Sequence, residues 1–139
     1  MKTDTTNNSK IRILLVEDDA PTRESAGIKL AKEGFTVETA ENGFVAFEKI
    51  QRDSNFRAIL LDLRMPKSDG FEFLEKKKAH PELQNIPVIV FTNLNQPENI
   101  ERAVSLGAKG YLVKAHHSIQ EIANELKNCL VHGTCIIDN

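Results

Sequence analysis

The sequence predicts one α/β domain, a doubly wound (βα)5 sandwich of three layers with a parallel sheet in the middle. Three observations carry this reading. Apolar runs of four to six residues alternate with amphipathic stretches of ten to fourteen along most of the 139 residues. Glycine and proline stand at the joints between them. The apolar runs end in chemistry-bearing residues, namely Glu17-Asp18-Asp19, Asp62, Thr92 and Lys114. Open parallel sheets keep their ligands beyond the carboxyl ends of their strands.

Each element has its own local reason. Ile11 to Val16 is an apolar run that reads as the first strand. Pro21 then suits the first turn of a helix over 21–33, because its missing N–H has no helical partner there. Gly34 stops that helix before a strand at 36–39. A helix over 43–52 leads to a strand at 57–62, whose core Ala58-Ile59-Leu60-Leu61 is apolar on both faces. A helix over 70–79 and a strand at 87–92 follow. Pro97 and Gly107 bracket the fourth helix, where Ile100, Ala103, Val104 and Gly107 fall on one stripe. After a strand at 110–113, Ile119, Ile122, Ala123, Leu126 and Leu130 mark a last helix over 118–131. Residues 11–131 are therefore read as the domain, with a polar tail at 1–10 and a short tail at 132–139.

Composition narrows the function classes. Eighteen basic residues against 20 acidic ones speak against a nucleic-acid or anionic-membrane binder. No apolar stretch approaches the ~20 residues that span a bilayer, and residues 1–10 have no signal-peptide core, so a cytoplasmic location is expected. Cys129 and Cys135 lie close enough in sequence for a disulfide, but are read first as two ordinary thiols in a reducing compartment. Lys76-Lys77-Lys78 is read as a solvated helix face. His80, His116, His117 and His132 show no metal-ligand spacing with the cysteines.

Asp62 is the most informative residue. It closes a strand buried on both faces, and a buried charge is costly unless it is paired. It therefore opens onto a site, one that the other strand ends would share.

These strand ends resemble the receiver domain of response regulators. Ile13-Leu14-Leu15-Val16-Glu17-Asp18-Asp19 matches the first strand with its acidic pair. Leu61-Asp62-Leu63-Arg64-Met65-Pro66 and Asp69-Gly70 match the phosphoacceptor strand and its loop. Phe91-Thr92, and Gly107-Ala108-Lys109-Gly110-Tyr111-Leu112-Val113-Lys114, complete the set from about Ile11 to Leu130. The resemblance implies a flavodoxin-like sheet of strand order 2-1-3-4-5. It implies a single-domain response regulator of a two-component phosphorelay, a phospho-acceptor switch rather than an enzyme. Its phosphoryl donor would be a histidine kinase or a histidine phosphotransfer protein. Its product would be a changed surface for a downstream effector, with no nucleic acid bound directly, no membrane, and a monomer or weak phosphorylation-dependent dimer.

The same resemblance assigns roles. Asp62 would be the phosphoacceptor, with Thr92 and Lys114 meeting the phosphoryl oxygens. Mg²⁺ would be the cofactor, held by Asp18, Asp62 and the backbone carbonyl of Arg64. Glu17 is read either as a direct ligand or as a carboxylate holding a metal-bound water. Thr92 and Tyr111 would form the switch, the ring turning inward as the hydroxyl is drawn to the phosphate. Asp19 is read first as a helix cap.

The chain departs from the family at Ala115, which stands where proline in a cis bond is usual. A cis bond without proline costs about 2.5–4 kcal/mol, so a trans bond is expected after Lys114, or a strained cis bond held by its surroundings. Asn93, where a smaller residue is common, narrows the approach to Asp62; Arg64 and Leu94 flank it. Three other readings compete. A haloacid-dehalogenase-type phosphohydrolase needs a second aspartate at position 64, which is arginine. A flavin-binding protein needs a phosphate loop after the first strand, where Glu17-Asp18-Asp19 would repel one. An adaptor that lost the chemistry has only Ala115 in its favour.

Overall fold

A computed structural model of the protein describes residues 11–64 and 70–138. The elements follow the expected order: β1 (Ile11–Val16), α1 (Ala20–Lys32), β2 (Phe35–Ala40), α2 (Gly43–Arg52), β3 (Ala58–Leu61), α3 (Gly70–Lys78), β4 (Val88–Thr92), α4 (Pro97–Ser105), β5 (Gly110–Val113) and α5 (Ile119–His132). Short 3-10 turns precede β4 at Pro81–Leu83 and follow β5 at Lys114–His116. All four strand pairings are parallel. The sheet runs β2-β1-β3-β4-β5, the 2-1-3-4-5 order expected.

Helices cover both faces. Leu14, Val16, Ile59, Leu61, Val88 and Val90 pack under α2, α3 and α4, while Ile13, Leu15, Ala58, Leu60, Ile89 and Leu112 pack under α1 and α5. Successive residues of a strand point to opposite faces, so the unbroken apolar run of β3 feeds both cores. Crossing the sheet from β1 to β3 reverses the direction in which strands are added. That reversal leaves a crevice at their carboxyl ends, and Glu17, Asp18 and Asp62 stand there.

Local signals set the boundaries. Asp19 is the N-cap of α1, its carboxylate accepting from the Thr22 amide at 3.0 Å, and Pro21 lies in the first turn. Gly34 follows α1 with φ 104°, a conformation that costs glycine little. Ser118 and Glu121 form a reciprocal capping box at the start of α5.

Three expectations need correction or extension. Cys129 and Cys135 are joined in a disulfide rather than standing as separate thiols. Gly133, left-handed at φ 77°, turns the chain back over the last turn of α5 and leaves the two Cα atoms 4.6 Å apart. The lysine run is no uniformly solvated face: Lys77 is buried, and burial pushes its ammonium below the usual lysine range, Lys109 adding to the effect. Lys77 lies one helical turn beyond Phe73 and Leu74, on their apolar face. Lys76 instead lies over the rings of Phe44 and Phe47, and Lys78 donates to the Ser105 carbonyl. Third, residues after α5 return to the outer edge of β5, where Ile137 makes a parallel bridge with Tyr111. The polar segment 1–10 lies outside the described residues.

Candidate functional site

A cleft of about 680 Å³ opens at the carboxyl ends of β1, β3, β4 and β5. Glu17, Asp18, Asp62, Arg64, Asn93, Leu94 and Lys114 are among the residues lining it. Backbone bonds hold the first two strand ends in register: the Glu17 amide donates to Ala40 O at 3.1 Å, and the Asp62 amide to Val16 O at 3.1 Å. The two carboxylates thus sit on neighbouring strands because the ladder continues one residue beyond each apolar run.

Glu17 and Asp62 are both buried, at 3% and 6% exposure. Two anions so placed need a cation, and Lys114 supplies it. Its Nζ donates to Glu17 Oε1 and, at 3.1 Å, to Asp62 Oδ2. Burial raises the Glu17 carboxyl above the usual range, the hydrogen bond from Lys114 opposing that rise and the charge of Asp62 adding to it. Burial alone would lower the Lys114 ammonium, but the hydrogen bond to Glu17 and the charges of Asp62 and Glu17 outweigh it and raise it. Asp62 Oδ1 accepts from the Arg64 amide at 3.1 Å, so each oxygen of Asp62 has a donor.

Glu17, Asp18 and Asp62 each place a carboxylate oxygen within 4.8 Å of the other two. Hard, anionic oxygens crowded at this distance fit a small divalent cation such as Mg²⁺, which takes carboxylate, carbonyl and water ligands. Asp19 also lines the cleft, but its carboxylate is engaged as the cap of α1; its carboxyl is lowered by the Thr22 hydroxyl and amide hydrogen bonds.

Thr92 is buried, and its Oγ1 accepts from the Leu94 amide at 3.4 Å. Tyr111 is fully buried, with its hydroxyl donating to Leu94 O at 2.7 Å. Burial, helped by the charge of Asp62, pushes this phenol up to about 12. The ring is thus already inside, and one loop residue, Leu94, is tied to both expected switch residues. No peptide bond among the described residues is cis, so Lys114 and Ala115 are joined in trans, within a 3-10 turn. Met65, Pro66 and Asp69 lie outside the described residues.

Sequence reasoning missed Arg23 and Phe71, and it gave Gly70 a place in a matched motif without a role. Arg23 Nη1 donates to the backbone carbonyls of Glu17, at 2.8 Å, and Asp18, at 3.3 Å, and so fixes the acidic turn from α1. Its signal was its place one turn after the Asp19 cap. Gly70 packs so closely that a Cβ there would lie 2.8 Å from Asp62 O and from Leu63 Cα. Phe71 lines the cleft, and Arg102 of α4 stacks on its ring with Cζ 4.1 Å from the centroid.

The response regulator receiver domain family model matches residues 13–127, which takes in every residue of this cleft. The chain belongs to that family. As a receiver domain it is 32% identical over 114 residues to the two-component response regulator ORR3 of Oryza sativa subsp. indica, covering 82% of this chain and 87% of that protein. It is 35% identical over 117 residues to the gliding motility regulatory protein of Myxococcus xanthus, covering 84% of this chain but 15% of that protein. Receiver domains thus occur both nearly alone and as small parts of long chains. The crystal structure of a CheY-like receiver domain protein from Methanospirillum hungatei superimposes with a TM-score of 0.79 at 30% identity, over 89% of this chain and 96% of that one. No helix among the described residues is long and apolar enough to cross a membrane.

Proposed function

We propose that this receiver domain acts as a phospho-acceptor switch in the cytoplasm, taking a phosphoryl group onto Asp62 from a histidine kinase or a histidine phosphotransfer protein. The observation that carries the reading is the setting of Asp62. It is a buried carboxylate, held by Lys114 and the Arg64 amide, that faces a cleft with two more carboxylates beside it.

A carboxylate oxygen of Asp62 forms the new bond to phosphorus as the donor's N–P bond breaks, giving an aspartyl phosphate. Two anions meeting at about 4 Å repel by about 4 kcal/mol at an effective dielectric near 20. Asp18, Asp62 and the Arg64 carbonyl, with Glu17 ligating directly or through water, would hold Mg²⁺, which would supply the positive charge and alignment that this approach requires. Lys114, now shared between Glu17 and Asp62, moves onto a phosphoryl oxygen as a point charge. Thr92 gives up the Leu94 amide and donates its hydroxyl to another phosphoryl oxygen.

Tyr111 then registers the change, because it holds the same loop through Leu94 O. Displacing that loop alters the packing of Tyr111, on β5, against α4, and with it the surface of α4, β5 and α5 offered to an effector. The protein behaves as a monomer or a weak phosphorylation-dependent dimer, binds no nucleic acid directly, and hydrolyses its own acyl phosphate slowly.

Incubation with acetyl phosphate and Mg²⁺, read by intact-protein mass spectrometry, tests the assignment. Wild type gains one phosphoryl group and Asp62→Asn gains none. Equal modification of both would remove Asp62 from its role.

A further inference from the structure

We infer that Cys129 and Cys135 form a reversible thiol–disulfide site that decides whether the segment after α5 covers the outer edge of β5. The inference is independent of the phosphoacceptor reading. β5 is the last strand of the sheet, so its outward N–H and C=O groups are unpaired unless something lies against them. Here the chain's own segment does. The Tyr111 amide donates to Ile136 O at 2.9 Å, and the Asp138 amide donates back to Tyr111 O at 2.8 Å. Asp138 Oδ2 accepts from the Val113 amide at 2.8 Å and stands 2.9 Å from His117 Nε2.

Two ladder bonds and one carboxylate clasp are few for ordering residues 134–138, because each ordered residue costs conformational entropy comparable to a net hydrogen bond. The covalent bond to Cys129 changes that balance by confining the segment close to its docking place. The surroundings fit the bond. Cys129 is buried on α5, and Cys135 reaches it over Gly110, where a Cβ would lie 3.0 Å from the Cys135 Cβ. The segment also leaves Ile136 and Ile137 about two-fifths exposed, at 41% and 39%, so it is an apolar cover rather than a buried strand.

The chemistry balances as ordinary exchange. The two thiols lose two electrons and two protons to a disulfide oxidant such as glutathione disulfide, which becomes two thiols. In the reverse direction a thiolate attacks Sγ of Cys135, the more accessible sulfur. The mixed disulfide and a Cys129 thiolate form first, and a second thiol then releases Cys135. Reduction frees residues 134–138 and uncovers the β5 edge beside Lys114.

Amide exchange of the full chain by NMR, oxidised with glutathione disulfide and then reduced with dithiothreitol, tests this. On reduction the Tyr111 and Val113 amides exchange about tenfold or more faster. The Ile59 amide, bonded to Pro87 O in the middle of the sheet, keeps its rate. Cys135→Ser exchanges fast at Tyr111 under both conditions. A Tyr111 rate changed by less than about twofold, or an Ile59 rate rising in step with it, overturns the inference. So does a pair that dithiothreitol leaves oxidised, as read by the mass gained on alkylation.

Discussion

Lys114 Nζ lies 3.1 Å from Asp62 Oδ2, and the same ammonium holds Glu17 on its other side. Fifty-two residues separate the lysine from the aspartate, so only the parallel sheet brings them together. One cation thus neutralises two buried anions on strands that are not its neighbours. Any cation added between these acids shares the two carboxylates with it.

Lys114→Met removes that cation and leaves Glu17 and Asp62 facing each other. Breaking a buried pair costs about 3–5 kcal/mol. The lysine side chain keeps 18% exposure, so a loss of about 2 kcal/mol is expected once solvent screening is allowed for. Millimolar Mg²⁺ recovers much of the loss by supplying charge at the same oxygens. Urea denaturation with and without the ion measures both effects.

Neighbouring acids behave oppositely. Asp19→Ala removes the cap of α1 and lowers the melting temperature, leaving Mg²⁺ affinity unchanged. Asp18→Ala relieves repulsion among three carboxylates whose oxygens lie within 4.8 Å. It raises the stability of the metal-free protein by about 1 kcal/mol and abolishes the stabilisation by Mg²⁺. Thermal melts of both variants across an Mg²⁺ series separate the two roles.

Gly70→Ala places a methyl group 2.8 Å from the backbone of Asp62 and Leu63. Backbone cannot yield as a side-chain tip would, so a loss of about 1–3 kcal/mol is expected. The acceptor is displaced as well, and the rate of modification by acetyl phosphate falls. A variant melting like wild type and reacting at the same rate would contradict the close packing.

Tyr111 is the only tyrosine, and there is no tryptophan, so its ionisation is read directly from ultraviolet absorbance. The phenol titrates near 12 in the folded protein against an ordinary 10, because burial and the Asp62 charge oppose the phenolate. The folded state therefore holds this proton more tightly than the unfolded chain. That contribution to stability is complete below about pH 10 and is lost as pH rises through 12. Asp62→Asn brings the ionisation down, since one of its two causes is gone.

Strand and helix limits were legible to within a residue or two, because each rested on a short-range signal such as Pro21, Gly34, Pro97 or the apolar run 58–61. The convergence of Glu17, Asp18, Asp62 and Lys114 was legible from their shared position at strand ends. What escaped depended on proximity in space. Lys77 looked solvated beside two other lysines, although its spacing from Phe73 and Leu74 already set it on the core face. Arg23 carries no motif and acts on carbonyls. The Cys129–Cys135 bond required the left-handed turn at Gly133, and a glycine beyond a helix does not say where the chain goes next.

Arg102 stacked on Phe71 gives the wall of the cleft a handle on the outer surface, since the guanidinium side is half solvent-facing and pairs at 3.5 Å with an equally open Glu75. Arg102→Ala would take the cover off the outer face of the ring, so a change on the surface of α4 reaches the cleft without touching any of its carboxylates.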